Sequence, residues 1–139
     1  MEKIILDTSV LVKLFAPDEK DIIADSLLSL HTQKKLSLTT IDFGLYKLAN
    51  TLKFSKRAKG AEIFQHLLTL FRMDLQVITF SHNLLEHALI LMDQFPITMY
   101  DASFVAAAEI EKVSLLTADY KHYAKQISPL IIHYREWKP

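Results

Sequence analysis

At 139 residues with 50% hydrophobic content, the chain has the size of one domain and is expected to bury roughly 70% of its unfolded surface without metal or disulfide staples. Lysine plus arginine equal aspartate plus glutamate at 16 each, so no global field draws the chain to nucleic acid, and any such binding must rest on a local patch or a bound metal. Cysteine is absent, which excludes disulfides, thiolate nucleophiles and thiolate metal sites and fits a reducing, cytoplasmic setting.

The apolar run 4–15 is interrupted by Asp7 and Lys13 and precedes no small-residue cleavage site. No stretch approaches the length of a membrane span, so a soluble protein with no membrane partner is expected. Residues 3–6 form a strand candidate; Asp7-Thr8-Ser9 is a turn with capping chemistry leading into a short helix over 10–15. Thr8 or Ser9 is expected to cap that helix, the other being free to point its hydroxyl at whatever Asp7 binds.

Pro17 breaks the helix and another is expected over 20–32, with Ile22, Ile23, Leu27, Leu28 and Leu30 on its apolar face. A second strand is expected over 36–39, after which residues 40–42 cap a long helix with Ile41, Leu45, Leu48 and Leu52 on one side. Lys53, Lys56, Arg57 and Lys59 form a basic cluster, either a solvated helix end or a contact for a phosphate backbone. A helix over 60–73, a strand over 76–80 and a helix over 84–95 capped by Ser81 and ended by Pro96 follow.

The stretch 100–123, YDASFVAAAEIEKVSLLTADYKHY, organises the rest. Asp101 opens a helical pattern, and Ser114–Thr117 reads as a short buried strand with Asp119 just beyond it. A last strand is expected over 130–132 before a polar, aromatic tail with Tyr134 and Trp137. Strands alternating with helices predict an α/β fold, a central parallel sheet of four to five strands flanked by helices, spanning 1–139 as one domain.

Right-handed crossovers place every strand's carboxyl end on one edge, where ligands bind in open α/β sheets. Asp7, Asp101 and Asp119 are thereby expected to converge. Clustered carboxylates raise one another's pKa and are stable as anions only around a cation. Oxygen-only ligands favour a hard ion, Mg²⁺ or Mn²⁺, able to activate water and stabilise charge on a phosphoryl group. The residues alone therefore point to a metal-assisted phosphodiesterase, against the alternative that aspartates cap helices and turns for structural reasons.

The segments LDTSVLVKLF (6–15), YDASFVAAAEI (100–110) and LLTADYKHYA (115–124), in this order, resemble the PIN domain nucleases, in particular the VapC-type toxins of prokaryotic toxin–antitoxin pairs. The resemblance implies a three-layer PIN-like fold, a homodimer, an antitoxin partner and an acidic pocket binding magnesium or manganese for endonucleolytic RNA cleavage. It assigns Asp7, Asp101 and Asp119 to the catalytic and metal positions, and Ser9 and Thr117 to polar positions lining the pocket.

In one place the chain departs from that family's pattern. A Glu-x-Ala-Asn-x-Leu run in the third helix is here Lys47-Leu48-Ala49-Asn50-Thr51-Leu52, with Lys47 in the acidic position. Three accounts compete. The remaining aspartates and waters hold the metal, with Asn50 one turn away offering a neutral oxygen. Alternatively the Lys47 ammonium replaces the metal as counter-charge and leaves a noncatalytic module that binds RNA or protein. Or Lys47 turns outward to meet substrate phosphate.

Asp42, five residues earlier, is rotated off that helix face and serves the helix N-terminus. A haloacid-dehalogenase-like phosphatase would need a second acid two residues after Asp7, where Ser9 stands, and a receiver domain would need an acidic pair after the first strand. The six histidines show no metal-site spacing, His122 alone lying near Asp119, and Tyr100 either flanks the pocket or packs. The apolar helices over 21–30 and 61–71 carry more hydrophobic residues than one sheet face requires and are expected dimer or antitoxin surfaces.

Overall fold

The computed structural model describes residues 2–119, 123 and 127–139, so His122 lies outside the described residues. Its elements run β1 (Glu2–Leu6), α1 (Thr8–Phe15), α2 (Ile22–Thr32), β2 (Leu36–Ile41), α3 (Asp42–Phe54), α4 (Gly60–Arg72), β3 (Gln76–Ile78), α5 (His82–Gln94), α6 (Met99–Glu111), β4 (Ser114–Thr117) and β5 (Ile131–His133), then a short 3₁₀ turn, Tyr134–Glu136. The strands form one five-stranded sheet in the order β3-β2-β1-β4-β5, and every neighbouring pair is parallel.

Alternation along the strands divides the core in two. Ile4, Leu6, Leu36, Leu38 and Leu116 pack with α1, α2 and the inner residues Leu48, Leu52 and Leu70 of α3 and α4. Ile5, Ile41, Leu115 and Ile131 point the other way, against α5 and α6. The expected three-layer α/β fold is therefore what the chain adopts. No helix among the described residues is long and apolar enough to cross a membrane.

Several boundaries differ from the sequence expectation, each for a tertiary reason. β2 continues through Thr40 and Ile41 because both pair with β3, so these residues are strand and neither side chain caps the helix that follows. Thr40 sends its hydroxyl to the Leu6 carbonyl (2.9 Å), and the N-cap position of α3, Ile41, has no side-chain cap. β3 stops at Ile78, and the Phe80 N–H beyond it donates to Asp42 Oδ2 (3.0 Å), tying the strand's exit to the first turn of α3.

α6 begins at Met99, not at Asp101, because Thr98 supplies the cap by accepting from the Asp101 N–H (3.2 Å). Its residues 102–108 are all buried, and four of them are alanines, which lets the helix lie close to the sheet on one side and α5 on the other. The final strand is Ile131–His133, one residue later than expected, and the tail behind it packs on its own chain, with Tyr134 and Trp137 joining the α1–α2 side of the core.

Candidate metal and phosphodiester site

The strand order fixes where a site belongs. From β1 the chain moves outward through β2 to β3, then returns to the opposite side of β1 as β4. The reversal lies between β1 and β4, and the crevice at their carboxyl ends is where open parallel sheets bind ligands. Asp7 follows β1, Asp119 lies two residues past β4, and Asp101 stands in the first turn of α6.

All three aspartates line one cavity of about 340 Å³, together with Thr8, Ser9 and Val12 of the β1–α1 segment. Lys47 and Thr51 of α3, Thr98, Tyr100 and Phe104 at the head of α6, and Tyr123 complete the lining. Asn50 is exposed and is not part of this wall, whereas Thr51, four residues from Lys47, is.

Asp7 is the true cap of α1, correcting the assignment to Thr8 or Ser9. Its Oδ1 accepts from the Val10 N–H (3.3 Å), and its own N–H donates to the Leu116 carbonyl (3.2 Å). Ser9 Oγ donates to Asp7 Oδ1 (2.5 Å) and accepts from the Ala118 N–H (2.9 Å). Thr117 Oγ1 lies 3.5 Å from Ser9 Oγ and accepts from the Asp119 N–H (3.1 Å). Thr117, expected in the pocket lining, is instead fully buried below it, and its hydroxyl and that of Ser9 lock the ends of β1 and β4 together.

Asp7 is only 4% exposed, and burial pushes its carboxyl from the ordinary 3.8 up to about 6, against the hydrogen bonds from Ser9, Thr117 and Val10, with the negative charge of Asp101 adding to the rise. The Tyr123 hydroxyl donates to Asp101 Oδ1 (3.2 Å) and is held far above its usual range by burial and then by the charges of Asp7, Asp101 and Asp119. One phenol therefore feels all three carboxylates. Thr8, 6% exposed, has an Oγ1 with no hydrogen-bond partner among the described residues.

Lys47 is exposed and forms no ion pair with a described residue, so its ammonium does not offset the buried charge of Asp7. A buried carboxylate raised by its surroundings beside a second carboxylate is an environment that a hard cation would relieve, and the residues fit one on that ground. Among the described residues no three His, Asp or Glu side chains gather closely enough to cage an ion unaided. The donor set accordingly suits a cation that keeps much of its water, as Mg²⁺ does.

Of the basic cluster, Lys56 turns inward to Asp18 (2.9 Å) and Glu19 (2.5 Å) in the α1–α2 connection. Lys53, Arg57 and Lys59 are exposed, Arg57 in the left-handed region at φ 56°. The histidines keep away from the cavity lining among the described residues: His31 accepts from the Leu38 N–H at Nδ1 and meets the Met73 carbonyl at Nε2, and His87 faces Glu109.

Sequence reasoning missed Thr98, Thr51 and Tyr123 as cavity residues. The first was visible, since Thr-x-x-Asp at 98–101 is a capping-box pattern. The others carry no spacing signal.

A three-layer α/β domain with acidic side chains at its sheet's switch point defines the class, and residues 4–127 match the profile of the PIN domain family: the chain belongs to that family. Among known proteins it is similar to Ribonuclease VapC3 of Pyrobaculum aerophilum, 29% identical over 123 residues, covering 84% of this chain and 89% of that one. Its fold matches a toxin–antitoxin complex chain from Klebsiella pneumoniae (TM-score 0.66, 17% identity, 94% of this chain and 96% of that chain). It also matches VapBC2 from Rickettsia felis bound to a DNA fragment from their promoter (TM-score 0.69, 20% identity, 94% and 96% covered).

Proposed function

We propose that this chain is a VapC-like toxin ribonuclease, cleaving RNA phosphodiester bonds with a magnesium or manganese ion held by Asp7, Asp101 and Asp119. The observation that carries the reading is the meeting of three aspartates, far apart in sequence, on one cavity at the sheet's switch point. When bound, such an ion supplies water activation and charge stabilisation at phosphorus. Ser9 and Thr117 hold Asp7 and the Asp119 loop in register, Tyr123 orients Asp101, and Lys47 gives the cavity wall a point charge for substrate phosphate. Lys53, Arg57 and Lys59 extend that positive contact along the RNA backbone, with Lys56 contributing less because of its internal ion pairs.

The partners follow the relatives. An antitoxin and a second copy of the chain are the proposed occupants of the exposed apolar residues Ile22 on α2 and Phe64 and Phe71 on α4. The whole of 1–139 acts as one PIN-like domain.

A second reading, a noncatalytic PIN-like module acting by RNA or protein binding, is favoured by Lys47 in the wall where the family pattern has an acid. Manganese calorimetry and RNA cleavage on the wild type, Lys47→Glu and Asp101→Asn separate the two. Binding and cleavage by the wild type, both lost in Asp101→Asn, are expected. A silent wild type with binding gained by Lys47→Glu would replace the nuclease reading with the module.

A further inference from the structure

Tyr100 lines the catalytic cavity yet remains 54% exposed, and its ring lies stacked on Phe43 of α3 with centroids 4.6 Å apart and planes 7° from parallel. Phe43 is partly buried and packs against the α5–α6 side of the core, so the exposed ring rests on an anchored one. Offset stacking of this kind fixes a ring's orientation at little entropic cost to a later partner. Tyr100 is also the immediate neighbour of Asp101, whose backbone is pinned by the Thr98 cap.

α3 carries a second relevant group. Phe43 and Lys47 are four residues apart and share a helix face, about 6 Å along the axis, which is roughly the span of a single nucleotide. Lys47 is the one cation lining the cavity among the described residues. The wall beside the aspartates therefore presents Tyr100, seated on Phe43, and the Lys47 cation one helical turn along α3 from that seat.

We infer that the Tyr100–Phe43 stack is a base-binding step that receives one unpaired nucleobase next to the scissile phosphate, with the adjoining phosphate directed to Lys47. The inference rests on the ribonuclease reading above. Stacking is indifferent to base identity because every base has a π-face, but it requires a base that is not already stacked in a duplex. The step therefore selects single-stranded or looped RNA by conformation and leaves sequence choice to other contacts.

The test uses short oligouridylates with chelator present, so that no metal supports cleavage, carrying 2-aminopurine at each position in turn, whose fluorescence is quenched on stacking. Wild type and Tyr100→Phe are expected to quench the probe at one position only. Tyr100→Ala should lose that quenching and weaken binding roughly five- to hundredfold, while Tyr46→Ala, which removes a 77% exposed ring outside the cavity, should match the wild type. In cleavage assays on unmodified RNA, an abasic site at the quenched position should raise KM for the wild type and not for Tyr100→Ala.

Equal binding and quenching by wild type and Tyr100→Ala would overturn the inference while leaving cleavage, and so the ribonuclease reading, intact. Position-specific quenching without any cleavage would sink the ribonuclease reading and keep the base step. Oligonucleotides that fail to bind the wild type at all would overturn both.

Discussion

Asp7→Asn isolates the electrostatic cost of the site. The folded-state carboxyl titrates at about 6 against an ordinary 3.8, chiefly because it is buried. At 1.36 kcal/mol for each unit of pKa, ionising it inside the folded chain costs about 3 kcal/mol. Since the folded value lies above the unfolded one, the folded chain binds the proton more tightly. The contribution to stability is thus full below about pH 4 and is lost as pH rises through about 6.

Asparagine removes the charge while keeping an oxygen for the Val10 N–H and Ser9 hydroxyl, and it is itself a good N-cap. Denaturant unfolding with chelator present, from about pH 4 to about pH 8, should show the variant gaining on the wild type by up to about 3 kcal/mol, or roughly 10 °C in Tm, with most of the gain between pH 4 and 6. Saturating manganese should then stabilise the wild type at neutral pH by about 3 kcal/mol at a hundredfold excess over Kd, and the variant much less. Parallel pH curves for the two proteins would refute the claim that burial of this carboxyl governs the site.

Ser9→Ala removes the hydroxyl that holds Asp7 down and receives the Ala118 N–H, so the pH at which the Asp7 contribution is lost should move upward in the same unfolding series. Gly44→Ala would place a Cβ 2.7 Å from Thr40 Oγ1 and 3.3 Å from Phe104 Cζ, so α3 must shift away from the sheet and α6; a loss of about 1–3 kcal/mol by denaturant unfolding is expected. Thr98→Ala deprives the Asp101 N–H of its cap and should cost about 1 kcal/mol in the same assay. Lys56→Ala should speed proteolytic nicking near Asp18 and Glu19 more than it weakens RNA binding, because that ammonium is occupied within the chain.

The convergence of Asp7, Asp101 and Asp119 was legible from the sequence because parallel topology alone brings strand ends and helix starts to one edge. Topology does not say which hydroxyl goes where. Asp7, Thr8 and Ser9 are all capable caps, and the choice fell to Asp7 only because Ser9 is drawn to Ala118 across a gap of 109 residues. The extension of β2 through Thr40 and Ile41 likewise depends on β3 offering partners, which no local propensity encodes. On α3, Lys47 fixes the face, but whether Asn50 or Thr51 turns toward the cavity depends on a rotation of about one residue, set by how Leu48 and Leu52 seat in the core.

The burial of Trp137 has an experimental consequence for all of these measurements. It is the chain's one tryptophan, 9% exposed, and it belongs to the half of the core built by α1, α2 and the inner sides of α3 and α4. The half formed with α5 and α6, which carries Asp101, contains no indole. Tryptophan fluorescence, excited apart from tyrosine, therefore watches one face of the sheet. A variant that loosened α6 alone would leave that signal nearly still, and its damage would have to be sought by hydrogen exchange along residues 99–111 or by an optical probe placed on that side.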